Sequence, residues 1–408
     1  MCKVCVIGLG YIGLPTALIL AASDVDVVGI DYNPELVSIL NSGKTTFKED
    51  GLDELFQNAR DKGISFGTKY IPAKIYIVAV PTPYNEQTKK IDPSYICSAI
   101  SDILAVCQKD TIIVIESTIS PGTIDRYVRP IFHDSKYTLG EDIHIAHAPE
   151  RIIPGKMITE LIYNSRTIGS DNGAIGEQIK SVYSTFCKGE IVLTNIRTAE
   201  MTKVVENTFR DINIAFANEL AKICRQGGMD VNEIIRIANM HPRVNILQPG
   251  PGVGGHCISV DPWFLVGDYP SLSLLIHEAR KVNDSMPAYV LKRVNAIMAE
   301  TGQADISRVG FYGITYKEDV DDIRESPTLQ LNEIMKNHLG AYVRFYDPML
   351  KNAVIDGQIM DFDTFLASTD LVVIMVAHKH IKENMDKLSE KIVLDTRNIC
   401  RLPGCYHL

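Results

Sequence analysis

The sequence predicts an α/β protein in which two units with parallel β-sheets flank a mostly α-helical middle region. Two patterns support this prediction. Short apolar runs alternate with helix-length segments from residue 3 to residue 147, and the alternation returns from residue 309 to residue 395. Between them, residues 198–227 contain no proline and repeat apolar residues at helical spacing. A chain of 408 residues is too long for one ordinary core, so two or three domains are expected.

Composition narrows the class of protein. The chain is 46% hydrophobic and 22% charged, which is typical of a globular protein, and its net charge of −9 argues against a general nucleic-acid binder. Its nine cysteines are scattered, and no second Cys/His pair complements Cys2 and Cys5, so neither a disulfide framework nor a metal site is expected. No signal peptide and no apolar run near the ~20 residues of a membrane span are present, which predicts a cytoplasmic protein without a membrane partner.

The first strand, residues 3–7, leads directly into Gly8-Leu-Gly10-Tyr-Ile-Gly13 and a helical run. In this context the three glycines have separate roles: a tight turn, close approach of the backbone to a pyrophosphate, and close helix–strand packing. Asp31 ends the second strand, where a carboxylate accepts hydrogen bonds from ribose hydroxyls and repels a 2′-phosphate. These features predict a Rossmann domain that binds NAD in preference to NADP, with a purely structural strand–turn–helix as the alternative.

Three more apolar strands are predicted in this unit, at residues 75–80, 111–116 and 143–147. A polar segment follows each strand, and these segments are 81–83, 117–123 and 149–151. Ligands of a parallel, doubly wound sheet bind beyond the carboxyl ends of its strands. Each segment by itself is typical of a loop, but together they are expected to line one cleft.

The long proline-free helix places Lys203 and Asn207 four residues apart and therefore on one face. An ordinary solvated face is the usual explanation of such a lysine. Further helices are predicted at residues 232–239 and at 273–300, with an interruption at Pro287. Two long helices with broad apolar faces also suit a dimer interface.

The segment 250–264, GPGVGGHCISVDPWF, combines four glycines with one cysteine, Cys257, which precedes Asp261 by four residues. Glycines let the backbone approach a ligand closely. A cysteine that opens a helix after such a loop has its thiolate stabilised by backbone N–H groups and by the helix dipole, which indicates a nucleophile. The alternative is a Gly/Pro-rich turn beside a buried cysteine.

The last hundred residues repeat the first unit in outline, with strands predicted within 309–316, 343–347, 371–376 and 392–395. The full glycine pattern is missing at the first turn, which instead carries Lys317, Arg324 and Glu325. Basic residues at a strand end suit a phosphate ligand other than the dinucleotide. Surface charges on a decorated loop are the alternative.

Six segments, in order along the whole chain, resemble the UDP-glucose/GDP-mannose dehydrogenase family: GLGYIGLPTA (8–17), ESTISPGT (116–123), PERIIPG (149–155), AEMTKVVENTFRDINIAFANEL (199–220), PGVGGHCISVDPW (251–263) and TYKEDVDDIRESP (315–327). The resemblance implies an NAD-binding Rossmann domain at 1–197, a central helical dimerisation domain at 198–300 and a UDP-sugar-binding Rossmann-like domain at 301–408. Within the family, residues 241–264 most resemble the UDP-N-acetyl-D-mannosamine dehydrogenases, whereas UDP-glucose enzymes usually read GGSCFPKD around the cysteine.

The resemblance also implies a reaction: a four-electron oxidation of C6 of UDP-N-acetyl-D-mannosamine to the uronate, with two NAD⁺ reduced per sugar, for surface polysaccharide biosynthesis. A cysteine thiolate traps the intermediate aldehyde as a thiohemiacetal, the second hydride transfer gives a thioester, and water releases the acid. The implied catalytic residues are Cys257 as nucleophile, Lys203 and Asn207 as oxyanion stabilisers, Asp261 as an aid to the thiol or water, and Thr118 and Glu150 as groups that position water and move protons.

The resemblance assigns the binding groups as well. The implied cofactor-binding residues are Gly8, Gly10, Tyr11, Ile12, Gly13, Asp31, Pro81, Thr82, Thr118 and Arg324. The implied substrate-binding residues are Glu150, Arg151, Lys203, Asn207, Arg243, Gly252, Gly254, Gly255, His256 and Lys317. Arg243 is expected to reach the sugar of the neighbouring subunit of a homodimer. His256 is expected to shape selectivity for an N-acetyl sugar, with a structural imidazole as the alternative.

Three other functions stay open at this point. The first is a dehydrogenase of the same family that acts on UDP-N-acetylglucosamine or UDP-glucose. The second is a two-electron alcohol dehydrogenase, which has no need of Cys257. The third is a non-catalytic nucleotide-sugar binder.

Overall fold

The structure, a computed structural model, describes residues 4–255, 257–338 and 343–408, without the side chains of residues 337 and 338. These residues form two compact units. The first unit is Met1–Glu206 with Trp263–Pro270, and the second is Asn207–Pro262 with Ser271–Leu408. The predicted three-domain limits stay a prediction, and His256 lies outside the described residues.

The first unit is built on an eight-stranded sheet in the order β3-β2-β1-β4-β5-β6-β7-β8. Its strands are β1 (Val4–Ile7), β2 (Val27–Ile30), β3 (Ser65–Gly67), β4 (Ile75–Val78), β5 (Thr111–Ile115), β6 (Ile143–His147), β7 (Arg166–Ser170) and β8 (Ile191–Thr194). All neighbouring strands run parallel except β6 and β7, which are antiparallel. The predicted doubly wound sheet is confirmed, and its central strands are short, fully buried apolar runs.

Helices connect these strands and pack on the sheet. They are α1 (Gly13–Ala22), α2 (Pro34–Asn41), α3 (Leu52–Asp61), α4 (Ser94–Val106), α5 (Met157–Tyr163) and α6 (Gly173–Tyr183), with a π-helix at Ile124–Val128 and a 3₁₀-helix at Arg129–Asp134. Strands β3, β7 and β8 were not predicted. Strands β3 and β7 are only partly apolar, as in Arg-Thr-Ile-Gly-Ser of β7, so they lack the continuous hydrophobic run that reveals a central strand. Strand β8 does contain such a run, Ile-Val-Leu, which was overlooked.

The second unit contains a five-stranded, all-parallel sheet in the order β10-β9-β11-β12-β13. Its strands are β9 (Val309–Tyr312), β10 (Arg344–Tyr346), β11 (Leu371–Ile374), β12 (Ile392–Asp395) and β13 (Tyr406–His407). Two helices contribute residues to both units: α7 (Ile196–Gln226) and α9 (Asp261–Asp268). The other helices of the second unit are α8 (Val231–Ala238), α10 (Leu274–Asp284), α11 (Met286–Thr301), α12 (Pro327–His338), α13 (Phe362–Ala367) and α14 (Lys379–Glu383), with 3₁₀ turns at Ile306–Arg308 and Met385–Leu388. The predicted helical middle and second Rossmann-like sheet are therefore confirmed.

The interruption predicted at Pro287 lies two residues earlier. Helix α10 ends at Asp284, Ser285 caps both helices, and α11 begins at Met286 with Pro287 in its first turn. A proline is tolerated there because the N–H groups of a first turn have no partner inside the helix.

Helix α7 has an unusual distribution of polarity. The apolar side chains of Phe209, Phe216 and Ile223 repeat every seven residues and are 65%, 52% and 53% exposed. Asn207 and Asp211, by contrast, are fully buried. The apolar periodicity that predicts this helix therefore marks in large part its outer face.

No helix of the described residues has both the length and the hydrophobicity required to cross a membrane.

Candidate functional site

The turn after β1 shows three glycines in three different environments. Gly8 adopts a φ of +88°, and a Cβ there would lie 2.6 Å from the carbonyl oxygen of Ala79. A Cβ on Gly13 would lie 1.8 Å from the carbonyl oxygen of Gly8, so only glycine lets α1 pack this closely on the turn. A Cβ on Gly10 would meet no atom within 4 Å. Gly10 therefore borders open space at the start of α1, where a pyrophosphate binds in dinucleotide folds.

Asp31 lies directly after β2 and is 8% exposed. Its carboxylate accepts hydrogen bonds from the backbone N–H of Leu9 at 2.8 Å and of Asn33 at 2.9 Å. Since a carboxylate has roughly four acceptor positions, these two contacts fix its orientation and leave capacity for ribose hydroxyls.

The side chains of Tyr11 and Ile12 contact protein. The ring of Tyr11 stacks on Phe47 with 4.4 Å between centroids, and Ile12 packs against the core of the first unit. Any contact of these two residues with a cofactor at the glycine turn is therefore expected through their backbone.

The loops after β4 and β5 are joined by a hydrogen bond. The hydroxyl of Thr82 donates to the carbonyl oxygen of Thr118 at 2.7 Å, while Pro81 is exposed. Glu200, a buried residue of α7, accepts the N–H of Gly122 at 2.5 Å and of Ile124 at 3.0 Å. The predicted residues Thr82 and Thr118 thus lie together, and Glu200 ties their loop to α7.

Glu150, after β6, is 6% exposed and belongs to a cluster that sequence reasoning missed. Its carboxylate pairs with Arg166 at the start of β7, and Arg166 also lies near Glu116. Arg151 points elsewhere: its guanidinium bonds to Glu206 at 2.8 Å and to the hydroxyl of Thr167 at 2.9 Å. Neither Glu116 nor Arg166 stands out in the sequence. Glu116 is the last residue of the predicted apolar strand 111–116, and Arg166 begins a strand without an apolar pattern.

Asn207, Cys257 and Asp261 meet in the second unit. The amide nitrogen of Asn207 donates to the carboxylate of Asp261 at 2.5 Å, and both side chains are buried. The backbone N–H of Asp261 donates to the carbonyl oxygen of Cys257 at 2.9 Å. Helix α9 begins at Asp261, so the expectation that Cys257 itself opens a helix is wrong by one turn. Cys257 is partly exposed in the turn that leads into the helix.

Lys203 lies one helical turn before Asn207 in α7 and is only 4% exposed. The alternative of a solvated lysine face is therefore wrong. Burial of an amine is costly in water-free surroundings, which favours a functional or paired role for this side chain.

The glycine loop before Cys257 packs against the segment 315–327. A Cβ on Gly254 would lie 2.6 Å from the carbonyl oxygen of Glu325, and the N–H of Gly255 donates to the carbonyl oxygen of Arg324 at 2.9 Å. Gly252 and Gly255 have φ values of +139° and +83°. These contacts bring two of the sequence motifs together and show that the glycines are needed for backbone packing whatever else they bind.

The other three basic residues that were predicted to bind ligands differ in their surroundings. Arg324 is 42% exposed and its guanidinium is held by the carboxylate of Asp322 at 2.6 Å. Lys317 is partly exposed in the same segment, and Arg243 is exposed in the irregular chain after α8.

A buried polar chain of the second unit anchors the start of the glycine loop. Asn218 of α7 accepts the N–H of Gly250 at 2.8 Å and donates to Asn283 at 2.9 Å. Asn283 donates to Asp211 at 2.7 Å, and Arg280 donates to the same carboxylate at 2.6 Å. The signal in the sequence is the spacing of Asn207, Asp211 and Asn218, which places three small polar side chains on one face of α7. This helix therefore holds the loop at both ends, through Asn218 and Asn207.

Among the described residues, no group of three or more histidine, cysteine, aspartate or glutamate side chains is placed to bind a metal ion. Six of the described cysteines are free thiols: Cys97, Cys107, Cys187, Cys224, Cys400 and Cys405.

Comparison with known proteins identifies the family. Models of the UDP-glucose/GDP-mannose dehydrogenase family match three parts of the chain: the NAD binding domain at residues 2–187, the central domain at 197–285 and the UDP binding domain at 310–402. A UDP-N-acetyl-D-mannosamine dehydrogenase of Methanococcus maripaludis is 43% identical, over 97% of this chain and 93% of the relative. An NDP-N-acetyl-D-galactosaminuronic acid dehydrogenase of Ralstonia nicotianae is 40% identical, over 97% and 95%.

Solved structures agree. The UDP-N-acetyl-mannosamine dehydrogenase of Staphylococcus aureus has a TM-score of 0.88 at 40% identity, covering 99% of this chain and 97% of that one. The UDP-D-ManNAc dehydrogenase of Pyrococcus horikoshii has a TM-score of 0.92 at 36% identity, covering 99% and 98%. These matches confirm the resemblance seen in the six motifs. The chain belongs to the UDP-glucose/GDP-mannose dehydrogenase family and is an NAD-dependent nucleotide-sugar dehydrogenase.

Proposed function

We propose that this chain oxidises UDP-N-acetyl-D-mannosamine at C6 to the corresponding uronate and reduces two NAD⁺ per sugar. The assignment of the substrate rests on sequence similarity. Four relatives named UDP-N-acetyl-D-mannosamine dehydrogenase are 41% to 43% identical over 97% of the chain. The relatives from Ralstonia, at 39% and 40% identity, favour an NDP-N-acetylgalactosamine-type sugar as a second candidate. Both candidates are N-acetyl sugars, which leaves UDP-glucose less supported.

Cys257 is the nucleophile of this proposal. The C6 alcohol gives a hydride to the first NAD⁺ and a proton to a base, which yields the aldehyde. The thiolate adds to the aldehyde carbon, and loss of a second hydride to the second NAD⁺ turns the thiohemiacetal into a thioester. Water then displaces the thiol and yields the carboxylate. The partly exposed position of Cys257 beside the first turn of α9 supports this role.

Lys203 and Asn207 stabilise the oxyanion that forms at C6. Both are buried on one face of α7, where a preorganised donor is worth more than in water. An amide nitrogen carries two hydrogens, so the bond from Asn207 to Asp261 uses one of them. Asp261 in turn fixes Asn207 and assists the thiol or the hydrolytic water, while Thr118 and Glu150 position water and move protons.

We assign NAD and the sugar nucleotide to two different sets of residues. The NAD site consists of the glycine turn, Asp31 and the loops after β4 and β5, with Arg324 as an added contact. The sugar nucleotide is bound by the glycine loop with His256 and by Glu150, Arg151, Lys203, Asn207, Arg243 and Lys317. We retain the domain limits 1–197, 198–300 and 301–408, and we place the reaction in the cytoplasm, where it supplies a uronate for surface polysaccharide.

A homodimer completes the proposal. The exposed side chains of Phe209, Phe216 and Ile223 form a stripe on α7 at the seven-residue spacing by which helices pair. Arg243 is exposed and therefore able to reach a site on a second copy. Phe216→Asp is expected to yield a monomer in light scattering, whereas Tyr163→Asp, at a 60% exposed aromatic of α5, leaves the dimer intact. A dimer that survives Phe216→Asp contradicts this interface.

The decisive experiment measures NADH formed per sugar consumed with UDP-N-acetylmannosamine, UDP-N-acetylglucosamine, UDP-N-acetylgalactosamine and UDP-glucose. Two NADH per UDP-N-acetylmannosamine, and a preference for that sugar, are expected. Cys257→Ser should lower kcat by at least about a thousandfold, while Cys97→Ser, which changes a second partly buried cysteine, stays active. A preference for another sugar overturns the substrate, and a fully active Cys257→Ser variant overturns the nucleophile.

A further inference from the structure

The first unit contains a buried cluster of two carboxylates, one guanidinium and one phenol, formed by Glu116, Glu150, Arg166 and Tyr183. Glu116 follows β5, Glu150 follows β6, Arg166 begins β7 and Tyr183 ends α6. The side chains of Glu116, Glu150 and Arg166 are 0%, 4% and 5% exposed, and Tyr183 is fully buried. Four separate elements thus place ionisable groups in one water-poor region.

The two carboxylates have different contacts. Glu150 pairs directly with one terminal nitrogen of Arg166, and its other oxygen accepts the N–H of Arg151 at 2.6 Å. Glu116 lies 3.6 Å from the second terminal nitrogen of Arg166 and accepts the hydroxyl of Tyr183 at 3.0 Å. The guanidinium carbon of Arg166 stands 4.6 Å from the ring centroid of Tyr183, which holds it between the two acids.

One guanidinium cannot balance two buried carboxylates, because an uncompensated buried charge is costly. Glu150 has the direct ion pair with Arg166 and a backbone N–H donor, which are contacts that a carboxylate makes. Burial first, and then the charge of Glu150, raise the pKa of Glu116 to about 7. His147 adds no charge, since burial lowers its pKa to about 4 and its Nδ1 hydrogen-bonds to the carbonyl oxygen of Ile115. The thiol of Cys187 is the other titratable group near Arg166.

We propose that Glu116 is a positioning residue that holds the proton of the Glu116–Glu150 pair, so that Arg166 and Glu150 form a closed ion pair with Glu150 ionised for reaction. The inference rests on the proposed role of Glu150 in proton transfer. When Glu116 loses its proton, Arg166 interacts with two anions, and the ion pair between Arg166 and Glu150 weakens. Activity is then expected to fall at the pH where Glu116 ionises.

The test is the pH profile of kcat with saturating NAD⁺ and sugar nucleotide, from about pH 5.5 to about pH 9. The natural protein should show an inflection near pH 7. Glu116→Gln, which mimics the protonated acid in size and charge, should remove that inflection, keep the kcat of low pH and leave both KM values within about twofold. Tyr183→Phe removes a hydrogen bond that favours the ionised acid, so it should move the inflection to higher pH.

A second readout does not need activity. A carboxyl group whose pKa is raised on folding stabilises the fold fully below the unfolded pKa, and this stabilisation is lost as pH rises through the folded pKa. The Tm of the natural protein should therefore fall, relative to that of Glu116→Gln, as pH rises from about 5 to about 8.

The outcomes separate the two ideas. If Glu116→Gln keeps the inflection near pH 7 and its Tm follows the natural protein across this range, the inference is overturned. If Glu150→Gln retains the full kcat, the proposed role of Glu150 fails, while the Tm comparison still decides whether Glu116 holds the proton. A lost inflection together with an inactive Glu150→Gln supports both.

Discussion

The two sheets of this chain start with the same strand, turn and acid, but they use the acid differently. Asp31, after the second strand of the first sheet, accepts two backbone N–H groups and is 8% exposed. Asp347, after the corresponding strand β10, is 2% exposed and accepts the N–H of Ile314 at 2.6 Å and of Thr315 at 2.9 Å, besides Nε2 of His378 at 3.3 Å. The carboxylate of Asp31 can therefore accept further hydrogen bonds from a ligand, whereas groups of the protein itself supply the hydrogen bonds to Asp347.

The turns differ in the same way. At the first turn, Gly10 borders open space at the start of α1. At the second, the carbonyl oxygens of Gly313 and Ile314 accept the hydroxyls of Thr328 and Ser326, which lie at the start of α12. A pyrophosphate needs free space between the turn and the helix that follows it. The first turn leaves this space at Gly10, whereas hydrogen bonds within the protein close the second turn.

Glycine substitutions at the first turn should have the largest effect. Gly13→Ala forces a Cβ onto the carbonyl oxygen of Gly8, so we expect a loss of at least about 3 kcal/mol in the free energy of unfolding and no NAD binding. Gly10→Ala is the matched control, because its Cβ meets no protein atom. It should leave the unfolding free energy within about 0.5 kcal/mol while raising the KM for NAD about tenfold or more. Denaturant titration and NADH kinetics measure both, and equal stabilities of the two variants would contradict the division of roles.

Removal of the acid of the second sheet should be the next largest effect. Asp347→Ala leaves buried N–H groups without an acceptor, and we expect it to lower the free energy of unfolding by about 3 kcal/mol with NAD binding intact. Hydrogen bonds from His378 and from the backbone hold the pKa of Asp347 below its ordinary value despite burial. Its stabilisation is therefore present above the unfolded pKa and lost as pH falls through the folded pKa. Acid titration of the natural protein and of Asp347→Asn checks this, since the variant should lose less stability on acidification; an identical acid transition speaks against it.

The acid of the first sheet should give the smallest change. Asp31→Asn keeps an acceptor for Leu9 but loses the charge that orients ribose hydroxyls, so the affinity for NAD should fall about tenfold, or about 1.4 kcal/mol. Its Tm should change less than that of Asp347→Asn. Calorimetric titration with NAD measures the affinity, and an unchanged dissociation constant would remove Asp31 from the cofactor site.

Much of this architecture follows from the sequence. Continuous apolar runs predict β1, β4, β5, β6 and β11, and the proline-free segment predicts α7 within two residues at each end. Strand β7 was missed because its residues are mixed in polarity and form a strand only by pairing with a neighbour, whereas the short apolar run of β8 was overlooked. Among site residues, spacing places Lys203 and Asn207 on one face of α7. Spacing cannot show that this polar face is buried, nor that the apolar stripe that contains Phe209 is exposed.

The sequence by itself determined the family, the cofactor and the order of the structural units, since those depend on local patterns of glycine, apolar and acidic residues. Only the tertiary structure decided which polar groups lie inside. The pairing of Asn207 with Asp261, the anchoring of Gly250 by Asn218 and the meeting of Glu116 with Arg166 join residues 54, 32 and 50 positions apart. Such contacts depend on which faces pack together and how much water is excluded between them, and no local pattern contains that information.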